Sequence, residues 1–298
     1  MDITSFLNKH LLSNEYGVLA NKWYIPIIKE IIRVSLKHHR PIVVGVNGSQ
    51  GSGKSTFSDL FCYVAEQKNK VKVVNLSIDD FYLTSSERQE MASSVHPLLR
   101  TRGVPGTHDV SLINDTLSRL KRHDSKVSIP RFDKSIDDRK PQSQWDLVDD
   151  EVDIILLEGW CVGSEAQDDA DLIKPVNDLE REEDQDLSWR RYVNDCLGDE
   201  YQTLFSVVDV WIMMKIPSFH CVLDWRTEQE NKLADVLKEK QSNNSSIMNA
   251  KEISQFIKHY QRITEHTLKT LPSKVHYLFE LDSQRNVNKL SKPIKLRF

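Results

Sequence analysis

An open α/β sheet, mainly parallel and covered by helices on both faces, is the fold class this 298-residue sequence predicts. Three observations predict it. Apolar runs of strand length alternate along the chain with amphipathic stretches of helical period. One such run, Pro41-Ile-Val-Val-Gly-Val46, leads into Gly48-Ser-Gln-Gly-Ser-Gly-Lys54-Ser55, and a helical pattern follows from Ser55 to Ala65. Two further runs end on acids, Asp79 and Glu158, at the strand ends where such sheets place their ligands. The glycine-rich segment fits G-x-x-x-x-G-K-[ST], and its strand-then-helix context makes the fold a P-loop NTPase.

The elements follow in order. Residues 1–40 are expected to be a helical extension, with 1–39 reading as two amphipathic helices on the outside of a domain spanning 41–298. Pro26 suits the first turn of the second helix, whose Ile28, Ile31, Ile32 and Leu36 fall on one side. Strand 41–46 precedes the P-loop and a helix reaching about Lys68. A second strand, Val71–Ile78, ends at Asp79-Asp80. Residues 81–109 read mostly as loop with a short helix, long enough to suspect a functional role. Asp109 is placed to cap a helix over Ser111–Arg122, and a short strand follows near Val127–Pro130. Strand Val152–Leu157 runs into Glu158-Gly159. An acidic insertion near 164–188, densest over Asp168–Asp186 and poor in apolar residues, reads as a solvated surface excursion. Strand Val207–Ile216, a helix opened by Pro217 and running to about Gln241, and a polar break at Gln241–Ser246 come next. Helix Ala250–Thr270 and strand Val275–Leu281 complete the series.

A net charge of −4 argues against wholesale nucleic-acid binding. Cys62, Cys161, Cys196 and Cys221 form no C-x-x-C pair, which argues against zinc and disulfide frameworks and for a reducing, cytoplasmic setting. The first ten residues lack the basic and long apolar regions of a signal peptide, and nothing reads as a membrane span. Oligomeric state is not legible.

The P-loop names the first ligands, ATP (or GTP) with Mg²⁺. Gly48, Gly51 and Gly53 free the backbone to approach phosphate, and the N–H groups of Ser49, Gln50, Ser52 and their neighbours face it. Lys54 supplies a mobile positive charge, and the Ser55 hydroxyl is placed to hold Mg²⁺, with Thr56 as the neighbouring candidate. Phosphoryl transfer needs a carboxylate beside Mg²⁺ and another to take the proton of the attacking hydroxyl. Asp79 and Glu158 stand at the right strand ends, and Asp80 competes with Asp79 because adjacent strand side chains alternate. Arg100, Arg102, Arg131, Lys134, Arg139 and Lys140 gather in loops, where an anionic acceptor and a transferring phosphoryl group would want them.

Five segments in order carry a family resemblance: Gly48–Ser55, Ser77-Ile-Asp-Asp-Phe-Tyr-Leu-Thr84, Arg102-Gly-Val-Pro-Gly-Thr-His-Asp109, Ile129-Pro-Arg-Phe-Asp-Lys-Ser135 and Leu157-Glu-Gly-Trp160. They resemble D-glycerate 3-kinase of the plant and fungal type and its bacterial relatives, within the phosphoribulokinase, uridine kinase and pantothenate kinase group. The similarity runs from about Pro41 to Asn288. It implies an ATP- and Mg²⁺-dependent kinase acting on a small hydroxylated acceptor, D-glycerate first. It implies Asp79 as base, Glu158 beside Mg²⁺, and Arg226 on a lid near 217–241. Arg285 would lie near the adenine, and Asp80, Tyr82, Arg102, His108, Arg131 and Lys134 would line the acceptor site. The acidic insertion, and Phe132 where the pattern usually has tyrosine, depart from the family. Two other readings stay open: a kinase of a nucleoside or pantothenate-like acceptor, and a regulatory ATP-binding module without catalysis.

Overall fold

Strand-length apolar runs become a six-stranded sheet in the computed structural model, which describes residues 1–69, 71–239 and 248–296. The polar break at 241–246 and the end of the 217–241 region lie outside the described residues. The strands are β1 (Ile42–Gly48), β2 (Val73–Ser77), β3 (Val127–Ile129), β4 (Phe132–Asp133), β5 (Asp138–Arg139), β6 (Asp146–Val148), β7 (Ile154–Gly159), β8 (Val210–Lys215), β9 (Tyr277–Leu281) and β10 (Val287–Ser291). The main sheet has the order β10-β9-β8-β1-β7-β2, and every pairing is parallel except β9 with β10. β3 pairs with β6, and β4 with β5, as two small antiparallel ribbons beside it.

The helices are α1 (Thr4–Lys9), α2 (Asn14–Leu19), α3 (Ile25–Ser35), α4 (Lys54–Asn69), α5 (Ser85–Ser94), α6 (Val110–Lys121), α7 (Asp169–Leu172), α8 (Asp178–Glu183), α9 (Ser188–Gly198), α10 (Glu200–Phe205), α11 (His220–Glu239) and α12 (Ala250–Thr270). Strand side chains alternate between faces and split the core in two. Ile42, Val44, Val46, Ile154 and Leu156 face α3, α4 and α11, meeting Ile28, Ile31, Phe57, Phe61 and Val222. Val43, Ile155 and Leu157 face the other way, toward Ile113 and Leu117 of α6 and Leu197, Tyr201 and Leu204 of α9 and α10.

The N-terminal segment holds three helices rather than two. Pro26 lies in the first turn of α3, and a π-turn at Ala20–Tyr24 joins α3 to α2. Such a wide turn accommodates an extra residue in a continuous helical run. Tyr24 packs edge-on against both Phe57 and Phe279, which roots the segment in the core. Leu36, expected on the apolar side, is exposed because α3 has already ended at Ser35.

The acidic insertion is solvated in part only: Asp168, Asp169, Asp171, Glu182, Glu183 and Asp186 are exposed, but the segment is also tied into the core. It forms α7 and α8, and Glu180 and Asp184 are fully buried. Arg262 of α12 grips Glu180 with two hydrogen bonds, Nε to Oε1 at 2.7 Å and Nη2 to Oε2 at 2.6 Å. Arg190 of α9 donates to Glu180 Oε2 at 3.0 Å, and its Nε lies 3.0 Å from Asp184. Two acids and two arginines thus make a neutral buried cluster, which is how charge survives burial.

Candidate active site

The P-loop leaves β1 at its carboxyl end and turns into α4. Gly51 and Gly53 have φ of 78° and 89°, the left-handed region that other residues avoid. A Cβ on Gly51 would lie 2.5 Å from Cβ of Trp225, a buried residue of α11. Gly51→Ala is therefore expected to push the loop out of its phosphate-binding shape and weaken Mg-ATP binding about tenfold or more. Calorimetric titration with Mg-ATP measures this, and an unchanged affinity would refute the steric argument. Asn47, at the end of β1, donates to the carbonyls of Trp160 and Val162 at 3.1 and 2.8 Å, joining the loop to the turn after β7.

Glu158 ends β7 and is 3% exposed. Its Oε1 accepts from Ser55 Oγ at 2.9 Å, while Oε2 has no hydrogen-bond partner and lies 3.8 Å from Lys54 Nζ. Burial raises this carboxyl above the usual range, despite Lys54 and the Ser55 and Ser77 hydroxyls pulling the other way. An orphaned carboxylate oxygen beside a hydroxyl is the hard oxygen donor set a magnesium ion takes. Ser55 and Glu158 therefore fit that ion, directly or through water.

After β2 a short 3₁₀ turn, Ile78–Phe81, sends the two adjacent aspartates to different partners. Asp79 Oδ1 accepts from the Tyr82 hydroxyl at 2.8 Å and Oδ2 from Lys134 Nζ at 2.7 Å. Burial alone would raise its carboxyl, but the charges of Lys134 and then Lys54, with the two hydrogen bonds, hold it well below the usual range. Asp80 instead accepts from Arg131 Nη1 at 2.8 Å and the Phe132 N–H at 3.1 Å. It anchors the β4–β5 ribbon. Arg131 is shared between Asp80 and Asp146, with Nη2 2.7 Å from the latter.

Tyr82 stacks on His108 with ring centroids 4.5 Å apart and meets Phe132 edge-on. Arg102 pairs with Asp137 and lies 5.5 Å from the Phe132 ring centre. Tyr82, His108, Phe132, Arg102 and Lys134 are thus linked around Asp79. Two bonds fix the loop that carries Arg102: Tyr260 donates to the Arg102 carbonyl at 3.2 Å, and Trp160 Nε1 to that of Gly103 at 3.0 Å. Arg139 donates to the Tyr82 carbonyl and to Asp109, whose other oxygen caps α6.

Arg226 lies one turn before Glu230 on α11 and pairs with it, with its guanidinium 5.9 Å from the Phe256 ring centre. Arg285, at φ 67° between β9 and β10, donates from Nε to the Gly51 carbonyl at 2.8 Å, pairs with Glu228 at 2.6 Å and lies 4.9 Å from the Trp225 ring centre. The structure thus gathers Lys54, Ser55, Glu158 and Asp79 at adjacent strand ends, with Arg285 against the outer side of the P-loop. Asp80 and Arg131 are turned to holding the ribbon. Trp225 and Tyr201 were not foreseen. Trp225 lies on the helix read after Pro217, whereas Tyr201, whose hydroxyl lies 2.5 Å from His108 Nδ1, carried no local signal.

A P-loop domain with a carboxylate at each neighbouring strand end is the class this geometry defines. A family profile described as "KAP family P-loop domain" matches residues 22–271. The chain is 34% identical over 259 residues to a kinase of Schizosaccharomyces pombe, "Uncharacterized kinase mug58", covering 84% of this chain and 89% of that one. It is 29% identical to the chloroplastic D-glycerate 3-kinase of Arabidopsis thaliana over 264 residues, 83% of this chain and 54% of the plant protein, so it spans about half the plant enzyme. The solved structure of D-glycerate 3-kinase from Cryptococcus neoformans shares the fold, with a TM-score of 0.72 at 24% identity over 90% of this chain and 96% of that one. The chain belongs to the P-loop kinases that include D-glycerate 3-kinase and its relatives.

Proposed function

We propose that the protein transfers the γ-phosphate of ATP to a hydroxyl of a small anionic acceptor, D-glycerate. The observation that carries this reading is Asp79, a base candidate held between Tyr82 and Lys134 on the same side of the sheet as the P-loop lysine. A carboxylate acceptor would find cations at Lys134 and Arg102, and the plant and fungal relatives named above act on D-glycerate. In this reading the acceptor oxygen attacks the γ-phosphorus, the bond to the ADP oxygen breaks, and the hydroxyl proton passes to Asp79. Lys54 stabilises charge on the transferring group, and Arg226 adds to it if α11 closes as a lid. Ser55 and Glu158 would hold Mg²⁺, which neutralises phosphate charge when bound.

The test is ADP release from Mg-ATP with D-glycerate, L-glycerate, uridine and pantothenate. Stimulation by D-glycerate alone is expected. Stimulation by uridine or pantothenate instead would overturn the acceptor, and ATP hydrolysis indifferent to all four would favour a regulatory module.

Lys134 gives a pH prediction. Its ammonium holds the Asp79 carboxyl down, so the base stays ionised until pH falls well below the usual carboxylate range. Lys134→Met is expected to raise that carboxyl and move the acid limb of kcat/KM to higher pH, while raising the KM for D-glycerate. A limb that does not move would show that Lys134 does not tune the base.

A further inference from the structure

Both cations named above for an acceptor carboxylate are already paired with carboxylates of the protein. Lys134 Nζ lies 2.7 Å from Asp79, and Arg102 Nη1 pairs with Asp137 Oδ1. The two pairs come from one turn. Residues 134–137 join β4 to β5, so Lys134 opens the turn at the base and Asp137 closes it at Arg102. Solvent reaches the second pair: the Arg102 side chain is 21% exposed and that of Asp137 46%. The Arg102 guanidinium stands 5.5 Å from the Phe132 ring centre, and Phe132 meets edge-on the Tyr82 ring, whose hydroxyl is bonded to Asp79.

Asp137 has a second holder. Arg88 of α5 is 1% exposed, and its Nη2 lies 3.0 Å from Asp137 Oδ2. The rest of that guanidinium is taken up by carbonyls: Nε donates to Leu83 at 3.1 Å, Nη1 to Arg100 at 2.8 Å and Nη2 to Asp137 itself at 2.6 Å. Arg88 thus ties together the segment after Tyr82, the segment before Arg102 and the turn after Lys134. A buried guanidinium needs a counter-charge, and Asp137 supplies it. Each oxygen of Asp137 therefore answers a different arginine, one buried and fixed, the other open to solvent. When Arg102 turns to another anion, Asp137 keeps Arg88 and its charge stays satisfied.

We propose that Asp137 is a built-in competitor for the anionic group of the acceptor: it holds Arg102 until a carboxylate arrives, then gives way and is retained by Arg88. The proposal rests on the kinase reading above and adds what sets the strength and selectivity of anion binding. A carboxylate tethered beside Arg102 is displaced only by an anion that gains further contacts, at Lys134 and the base, so a simple inorganic anion is held weakly. Asp137 is thus a specificity-determining residue. Its removal should tighten anion binding, whereas removal of a merely structural residue would loosen it.

Asparagine and glycine both accept the φ of 54° at this position, so two variants delete the charge without straining the turn. Calorimetric titration of the full chain with D-glycerate, and separately with sodium sulfate, reads the effect. Asp137→Asn and Asp137→Gly are each expected to bind both anions about fivefold more tightly, the size of a competing, partly exposed ion pair. Both should also melt at a lower temperature, because Arg88 has lost its counter-charge. The KM for D-glycerate should fall by a similar factor while that for ATP stays within about twofold. In an Arg102→Gln background, Asp137→Asn should change neither anion affinity. Affinities at or below wild type in the two variants would overturn the proposal. So would a gain that persists without Arg102, since the carboxylate would then act as diffuse negative charge and not as a competitor for that residue. Sulfate held at the P-loop is common to all forms and cancels in the comparison. If the wild-type protein neither binds nor phosphorylates D-glycerate, that acceptor fails, and the sulfate titrations decide the inference by themselves.

Discussion

Asp79→Asn is expected to lower turnover by about 10²–10⁴-fold, the range a positioned general base contributes, while Mg-ATP affinity stays nearly unchanged. The amide keeps the shape and the hydrogen bond from Tyr82 but accepts no proton from the attacking hydroxyl. Asp80→Asn is the internal control. Asp80 holds Arg131 and the Phe132 N–H, so its loss should loosen the β4–β5 ribbon, raising the acceptor KM more than it lowers kcat. Steady-state kinetics with a parallel ATP titration separate the two. Near-normal turnover in the Asp79 variant would reject it as the base, and an inert Asp80 variant beside it would exchange their roles.

The second large effect concerns stability. Glu180→Ala leaves Arg190 and Arg262 buried at 3% and 7% exposure without the carboxylate that receives both. Removing one partner of a buried charge pair costs about 3–5 kcal/mol, which corresponds to a fall in Tm on the order of 10 °C in a domain of this size. The Val176 N–H, which donates to Glu180 Oε2 at 2.9 Å, loses its acceptor too. Thermal unfolding followed by circular dichroism tests this. A Tm unchanged to within a degree or two would show that water or a neighbouring group replaces the carboxylate at no cost.

The sheet and phosphate-binding loop were legible because local rules decide them. β1, β7 and β8 are continuous apolar runs, and the glycines of the P-loop sit where positive φ is required at Gly51 and Gly53. β4 and β5, of two residues each, are too short to show a period, and Val287-Asn-Lys-Leu-Ser of β10 lacks clean alternation. The acidic insertion was read correctly for its exposed acids but, for a different reason, not for Glu180 and Asp184. By composition a buried glutamate and a solvated one look alike, and the arginines that settle the matter lie 10 and 82 positions from Glu180. In the site, the placing of the P-loop and of the strand-end acids could be read in advance. The division of labour between Asp79 and Asp80 could not, since it depends on the turn at Ile78–Phe81 and a ribbon some fifty residues on. Tyr201 was invisible because its role is defined by two atoms, Gly106 N and His108 Nδ1, brought to it by the fold.

The antiparallel strand β10 has a consequence for how the molecule keeps to itself. A parallel sheet that stopped at β9 would offer a row of unpaired backbone groups to any neighbour, the usual start of edge-to-edge aggregation. β10 covers that row, and its own outer edge is a poor template. A bulge interrupts its register between Val287 and Lys289, and Lys289 and Lys292 bring charge to the rim, paired with Glu280 and Glu30. A second chain docking there would have to straighten the bulge and strip water from both lysines, so this side of the sheet is built to resist recruitment into larger β-structures.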